Sequence, residues 1–372
     1  MWSIVDVIEL AGWTVEHYRL GAGPALLLLH DASSPAVAVQ AWAPWGWAHT
    51  SLQEVGGWSA GWPRRPLRTP TQSWRGTARD LSGAGWTVAQ DDGPELLRRV
   101  MSSWPTARPG PHRSAIEDLR LRLRRTYWQA VAGPPAPKDA TRLRRQPSRA
   151  VWVIAGAFDR AQMLTIARAT LAGPPAPPSP ALRHARPGPG PRAPLQVVAP
   201  AEAGAAVIAW ARADPTPTTV ARLKGLAQLL GAGPQARLNT LTRLDLALGA
   251  EVHVEAGPAG ASLEAFVNLG PTRSATVAAA EMRDALRAIG EGRTTGLELE
   301  RMQLALRSTQ LSAWSGLESR AQAAAEALIL YQDLSALPES WAAIEAIEEP
   351  ALRALAQSLA STPAVVVRTR AP

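Results

Sequence analysis

Cysteine is absent from the 372 residues, which excludes disulfides, thiol nucleophiles and thiolate metal sites and leaves the redox compartment open. Lysine is nearly absent too. Lys138 and Lys224 stand alone, so the 39 basic residues set against 31 acidic ones are almost all arginine, and guanidinium groups carry the formal charge of +8. Two phenylalanines and three tyrosines accompany 15 tryptophans. This skew, with abundant alanine and 33 prolines, fits GC-rich coding and needs no ligand to explain it. The arginines are spread along the chain instead of interleaving with stacking aromatics, which argues against a nucleic-acid surface. No apolar run approaches the ~20 residues that cross a bilayer. Met1–Leu10, with Asp6 and Glu9, lacks the basic and apolar regions of a secretory signal. The expectation is a cytosolic protein with no membrane or nucleic-acid partner.

What is present is enough apolar material, 46% of the residues, to fill two cores, and a chain of this length exceeds one ordinary domain. Strand patterns at Trp13–Arg19, Ala25–His30 and Ala36–Trp42 are separated by Gly21-Ala22-Gly23-Pro24 and Ser33-Ser34-Pro35 and predict an antiparallel meander. From Pro44 to Gly93 the period dissolves, and loops are expected apart from a short strand at Trp86–Ala89. Ile116, Leu119, Leu123, Tyr127 and Ala130 form one helical stripe, predicting a helix over Ser114–Val131 whose opposite face, Arg120, Arg122, Arg124 and Arg125, is solvated. Ala150–Gly156 reads as a buried strand, and Asp159 as the N-cap of a helix over Ala161–Leu171.

Nine prolines between Ala172 and Pro194 rule out a core element there, so 172–194 is expected to link a first lobe, 1–171, to a second, 195–372. The second repeats the plan. Strands are expected at Leu195–Ala199, Ala205–Ala211, Ala250–Ala256, Ser262–Leu269 and Ala364–Arg368. Helices are expected at Thr216–Leu230, Gln235–Leu246, Ala275–Ile289, Leu297 to about Tyr331, and Pro350–Leu359. Val39-Gln40-Ala41-Trp42-Ala43 recurs as Val207-Ile208-Ala209-Trp210-Ala211 at the matching strand, which points to an internal duplication.

Three strings carry a family resemblance. They are Leu226–Leu230 with Gly231-Ala232-Gly233 and Gln235-Ala236-Arg237-Leu238; Gly296–Arg307 followed by Leu317-Glu318-Ser319-Arg320-Ala321; and Ala150–Asp159. In this order they resemble the helix, glycine turn and Ser-Arg-Leu signature, the long C-terminal helices, and the strand closing the first lobe of the pitrilysin/insulinase family of zinc metallopeptidases and its non-catalytic relatives. The resemblance implies an α+β fold of two duplicated lobes, each an antiparallel sheet packed with helices, the first lobe here shortened and degenerate.

In that family a helix bears His-x-x-Glu-His, because residues four apart share a helical face and can grip one zinc ion while the glutamate reaches its water. This chain has no such pentad. Its histidines, His17, His30, His49, His112, His184 and His253, are never closer than 13 positions. His49 and Glu54, five apart, would point about 140° away from each other on a helix. The expectation is therefore no catalytic residue, no metal and no cofactor. The resemblance implies a silent subunit that pairs with a zinc-containing homologue or with itself, and Arg237 matches an arginine with which such subunits bind substrate peptide. The tyrosine that accompanies it would fall near Ala250-Glu251-Val252, where there is none.

Gly57-Trp58-Ser59-Ala60-Gly61 fits a nucleophile elbow, making a serine hydrolase using Ser59 one alternative, although Leu52–Val55 is a poor buried strand and Pro63 and Pro66 interrupt any following helix. A protein-binding scaffold without peptide substrate is the other. The early tryptophans, Trp42, Trp45, Trp47, Trp58, Trp62, Trp74 and Trp86, either fill the first lobe's core or form a partner surface.

Overall fold

The computed structural model describes residues 2–10, 12–20, 23–43, 72–77, 82–103, 115–132, 150–171, 195–200, 204–212, 215–231, 236–244, 247–258, 260–269 and 274–370. The chain divides into two compact units, and neither is one continuous stretch. The first comprises Met1–His112, Ala136–Arg183 and Leu311–Pro338; the second comprises Arg113–Pro135, His184–Gln310 and Glu339–Pro372.

The first unit is built on a seven-stranded sheet of β1 (Trp2–Leu10), β2 (Trp13–Leu20), β3 (Ala25–His30), β4 (Ala36–Ala43), β5 (Gln72–Thr77), β6 (Ser82–Ala89) and β7 (Val151–Gly156), in the order β1-β2-β3-β7-β4-β6-β5. The expected meander is corrected here: β7 inserts between β3 and β4, parallel to the former and antiparallel to the latter. Strand pairs distant in sequence are what bury an all-apolar run such as Val151–Ala155 on both faces. The 44–93 region is also more regular than expected, since β5 and β6 pair antiparallel. Helices α1 (Gly93–Ser103) and α3 (Arg160–Leu171) cover one face, with Leu97, Val100, Met163 and Ile166 packed on Val39, Trp152 and Ile154. Asp159 caps α3 as expected, its Oδ1 accepting from the Gln162 N–H at 3.0 Å.

The second unit holds a five-stranded sheet of β8 (Leu195–Pro200), β9 (Ala205–Arg212), β10 (Gly249–Gly257), β11 (Gly260–Asn268) and β12 (Val365–Arg370), ordered β10-β11-β9-β12-β8. Helices α4 (Pro217–Gly231), α6 (Ala275–Gly290) and α10 (Glu349–Ser361) pack their apolar faces, including Leu226, Leu230, Met282, Leu286 and Leu352, against one side of it. The helix expected over Gln235–Leu246 is reduced to α5 (Asn239–Arg243) among the described residues. The long helix expected from Leu297 breaks at Gly316, whose extended backbone (φ −101°, ψ 147°) separates α7 (Gly296–Ser315) from α8 (Leu317–Tyr331). Sequence reading missed β1, α1 and α9 (Ala336–Glu345).

The two sheets share one plan. Reading β3-β7-β4-β6-β5 against β8-β12-β9-β11-β10 gives the same order, with the leading pairs, β3–β7 and β8–β12, parallel in both. Sheet one adds the β1–β2 hairpin. A second regularity concerns the remaining faces. Helix α2 (Ala115–Ala132), from the first half of the chain, packs on β8, β9 and β12 in the second unit, while α8, from the second half, packs on β3, β4 and β7 in the first. Each half therefore donates one helix to the equivalent place in the other unit.

The matching pentapeptides are a weaker witness than they look. Trp42 lies on the α8 side of its sheet, its Nε1–H donating to Gln40 Oε1 at 2.9 Å while Gln40 Nε2 donates to the Glu318 carbonyl at 2.6 Å. Trp210 lies on the opposite side of its sheet, in the core with α4 and α6. A slip of one residue reverses every side chain of a strand, so the duplication rests on strand order and not on this string.

Candidate functional site

A zinc site of the expected kind would stand on a helix between β4 and β5. That span, 44–71, with His49, Glu54 and Ser59, lies outside the described residues, as do Trp45, Trp47, Trp58 and Trp62, the linker 172–194, and His112 and His184. Of the remaining histidines, His17 sits on β2 opposite Leu27, His30 ends β3 opposite Thr14, and His253 is on β10. His30 packs edge-on to Phe158, 5.4 Å between ring centres. Among the described residues no three His, Asp or Glu side chains are placed to share a metal ion. With no His-x-x-Glu-His pentad anywhere in the sequence, the residues do not fit a zinc centre of that family.

Arg237 lies on the turn between α4 and α5. Its guanidinium faces Glu298, with Nη2 3.1 Å from Oε1 and Nε at 3.3 Å, and Nη2 also donates to the Arg293 carbonyl. Glu298 belongs to a capping box at the start of α7: the Glu298 N–H donates to Thr295 Oγ1 at 3.2 Å, and the Thr295 N–H returns a bond to Glu298 Oε2 at 2.8 Å. Burial works to raise the Glu298 carboxyl, but the Thr295 N–H, the Arg237 charge and the Thr295 hydroxyl outweigh it and hold the group below the ordinary carboxylate range. Arg237 thereby ties the α4–α5 turn to the α7 terminus. A recess of about 250 Å³ opens beside it, lined by Leu238, Leu241, Glu281, Asp284 and Ala285.

The densest electrostatics lie elsewhere, beneath α2. On β10, Ala250, Val252, Val254 and Ala256 pack on the core, so the period of two sends Glu251, His253 and Glu255 to the other face. There Arg124 bridges Glu255 and Glu264, Nη1 to Glu255 Oε1 and Nε to Glu264 Oε2, both at 3.1 Å. Glu264 is fully buried, and it also accepts from Ser262 Oγ at 2.6 Å. His253 Nε2 lies 3.3 Å from Glu264 Oε2. Burial, then the Arg124 charge, push the His253 imidazole down to about 4 against the pull of Glu255. Arg120 reaches Glu251 at 2.8 Å and lies 4.6 Å over the Phe266 ring. The expectation that Arg120 and Arg124 belong to a solvated face is corrected: they are the contacts that seat α2.

Helix α8 is seated by its own first turn. Besides the Gln40 bond, Thr87 Oγ1 donates to the Glu318 carboxylate, and Arg320 lies 3.6 Å over the Trp13 ring. Glu318 and Arg320 fall in the Leu317–Ala321 string on which the family resemblance partly rests. Both sets of contacts, Arg120 and Arg124 under α2 and Glu318 and Arg320 on α8, join a helix to a sheet.

No protein-family model and no curated protein sequence matches this chain. Solved structures do. A protease from Helicobacter pylori superposes with a TM-score of 0.74 at 13% identity, covering 96% of this chain and 99% of that one. An inactive peptidase M16 domain from Pseudomonas fluorescens gives 0.65 at 14%, covering 96% and 98%. A chain of complex III2 from Candida albicans, in an Inz-5-bound structure, gives 0.70 at 10%, covering 95% of each. Likeness at such identities speaks for the fold, and the fold of this chain is that of the M16-like, pitrilysin-type peptidases.

Proposed function

We propose that this chain is a non-catalytic subunit of pitrilysin type, which pairs with a zinc-bearing homologue or with itself and supports peptide binding or assembly. The observation that carries the reading is the combination of the duplicated peptidase fold with a sequence that holds no His-x-x-Glu-His pentad. The inactive domain from Pseudomonas fluorescens, matched over 98% of its length, supports it as a precedent for this fold without activity. In this role Arg237 and the recess beside it face peptide. Glu281 and Asp284 give the recess an acidic wall suited to a basic peptide side chain.

Co-expression with a homologue that carries the zinc pentad tests the proposal. The expected result is co-purification in a fixed ratio, with peptide cleavage that is absent from this chain alone and abolished when the homologue's pentad is replaced. Arg237→Met in the pair is expected to raise the KM for peptide. Cleavage by the isolated chain would sink the reading, and labelling of Ser59 by a fluorophosphonate would transfer the function to a serine hydrolase. A scaffold without peptide substrate is the second reading, supported by the match to a chain of complex III2. It predicts partner binding that Arg237→Met leaves unchanged.

A further inference from the structure

The β1–β2 hairpin is what sheet one adds to the shared plan, and all of it lies in the first unit. Its outer strand, β1, is an edge, since no described strand pairs beyond it. Two residues separate Leu10 from Trp13, so these close the hairpin as a hydrogen-bonded pair, and such pairs alternate along an antiparallel ladder. Ile8–Val15 is the next one, which leaves the Val7 N–H pointing outward, where another strand would take it. That N–H instead donates to Oδ1 of Asp6 at 2.8 Å. Val5 bulges out of the ladder between the Ile4–Tyr18 and Asp6–His17 pairs, and Ile4, Val5 and Val7 are 52%, 54% and 47% exposed. An apolar edge is thus blunted by one carboxylate and one bulge.

Directly opposite Asp6 stands His17, 4% exposed, whose Nε2 has no hydrogen-bond partner. Its ring shares a face of β2 with Trp13 and Val15 and meets Leu27 of β3, on the side away from the core under α1 and α3. The charges on that face are few. Asp6 comes from β1 and Arg19 from β2 itself, while Arg320 of α8 is held over Trp13 with Asp31 3.8 Å from it. Glu9, Glu16 and Arg160 belong to the other face, bonded to Thr14 and Tyr18. Burial, then the Arg19 charge, push the His17 imidazole below its ordinary value against the pull of Asp6. At neutral pH the ring is therefore uncharged and Asp6 stays on Val7. A protonated His17 is a buried cation facing the Asp6 carboxylate. When Asp6 turns to it, the Val7 N–H is released.

The occupant of the freed edge follows from where Asp6 stands. In an antiparallel pair of β1 strands with a two-fold axis at Val7, Val7 faces its own copy, Asp6 faces Ile8 and Val5 faces Glu9, so no like charges are directly opposed. The two Asp6 carboxylates nevertheless lie on one face on either side of the axis, about 7–8 Å apart. They repel at neutral pH, and pairing each with His17 of its own chain removes the repulsion. We propose that β1 is a homodimer edge guarded by Asp6 and opened in acid by His17, two chains joining through Val5–Glu9 as an isologous antiparallel ladder. Because the imidazole gains a counter-ion in the dimer, association takes up protons and strengthens as pH falls below about 6.5. The inference does not depend on the peptidase-like role, because its test uses this chain alone.

Sedimentation of the full chain should show a dimer with a dissociation constant on the order of 100 μM at pH about 5, as befits a short ladder, and at least about 10-fold weaker association at pH about 7.5. His17→Gln should stay monomeric at both pH values, because its side chain gains no charge. Asp6→Ala removes the cap and the repulsion together and should dimerise at both. Val7→Pro lacks the outward N–H, a change that an edge strand tolerates, and should dimerise at neither while keeping the parent Tm. A chain that is monomeric at about 300 μM and pH about 5 overturns the proposal. So does a dimer of equal strength at the two pH values, an acid dimer that His17→Gln or Val7→Pro leaves intact, or acid association that appears only with loss of the near-ultraviolet circular dichroism of the folded chain.

Discussion

A methyl group on Gly156 would meet the Ala36 carbonyl oxygen at 2.1 Å, and the residue's φ of +118° is one that side chains rarely adopt. The Asp31 N–H donates to the Gly156 carbonyl at 2.9 Å, so the backbone here cannot swing away without breaking the end of the β3–β7–β4 arrangement. Gly156→Ala is expected to cost about 3 kcal/mol or more, a fall in Tm of roughly 6–12 °C in thermal melts. An unchanged Tm would show that the strand end relaxes freely. The glycine falls within the Ala150–Asp159 string read in the sequence, and its backbone reason became visible only with Ala36 in place. Arg237 is similar in that the sequence singles it out by resemblance, while its partner Glu298 is 61 residues distant. No pattern in the sequence links the two.

The α2–β10–β11 assembly shows what happens when a helix is read without its partner strand. Arg120 and Arg124, four apart, match the acidic stripe Glu251, His253, Glu255 that period-two alternation writes on β10. Both patterns are in the sequence, and the pairing between them is not, because the strand lies more than a hundred residues on. The energetics follow from burial. Arg124→Met leaves Glu264 buried without its cation, which should destabilise the protein by about 3 kcal/mol, whereas adding Glu264→Leu should recover much of the loss. Denaturant titration of Arg124→Met, Glu264→Leu and the double variant checks the cycle; equal costs for Arg124→Met and the double variant would mean the ion pair is not what holds Glu264.

His253 gives the same element a pH dependence with a definite sign. Its pKa is about 4 in the folded protein against an ordinary value of 6.5 for a solvated histidine, so between those values the unfolded chain binds more protons. Stability from this group is present above pH ~6.5 and is lost as pH falls from there toward ~4. Thermal melts across that window should show a decline that His253→Gln flattens; parallel curves for the two proteins would assign the acid sensitivity to other groups.

For the molecule as a whole, the exchange of α2 and α8 decides what the two sequence halves can do separately. Nine prolines and a repeated strand plan are the grounds for proposing a linker 172–194 between 1–171 and 195–372. The exchange was not legible, because periodicity says that a helix has an apolar face and nothing about which sheet covers it. Yet the second unit includes Arg113–Pro135 and the first includes Leu311–Pro338. Without α2, Glu264 and the face of β8, β9 and β12 lose their cover. Without α8, Gln40 and Trp42 lose theirs. A protease site placed within 172–194 and cut after folding should therefore leave both fragments co-migrating on size exclusion with a near-native circular dichroism spectrum. Either fragment expressed alone should aggregate or expose its sheet to a hydrophobic dye. Two fragments that separate cleanly and melt cooperatively on their own would mean that each half closes its own sheet, and that the donated helices contribute little to the fold.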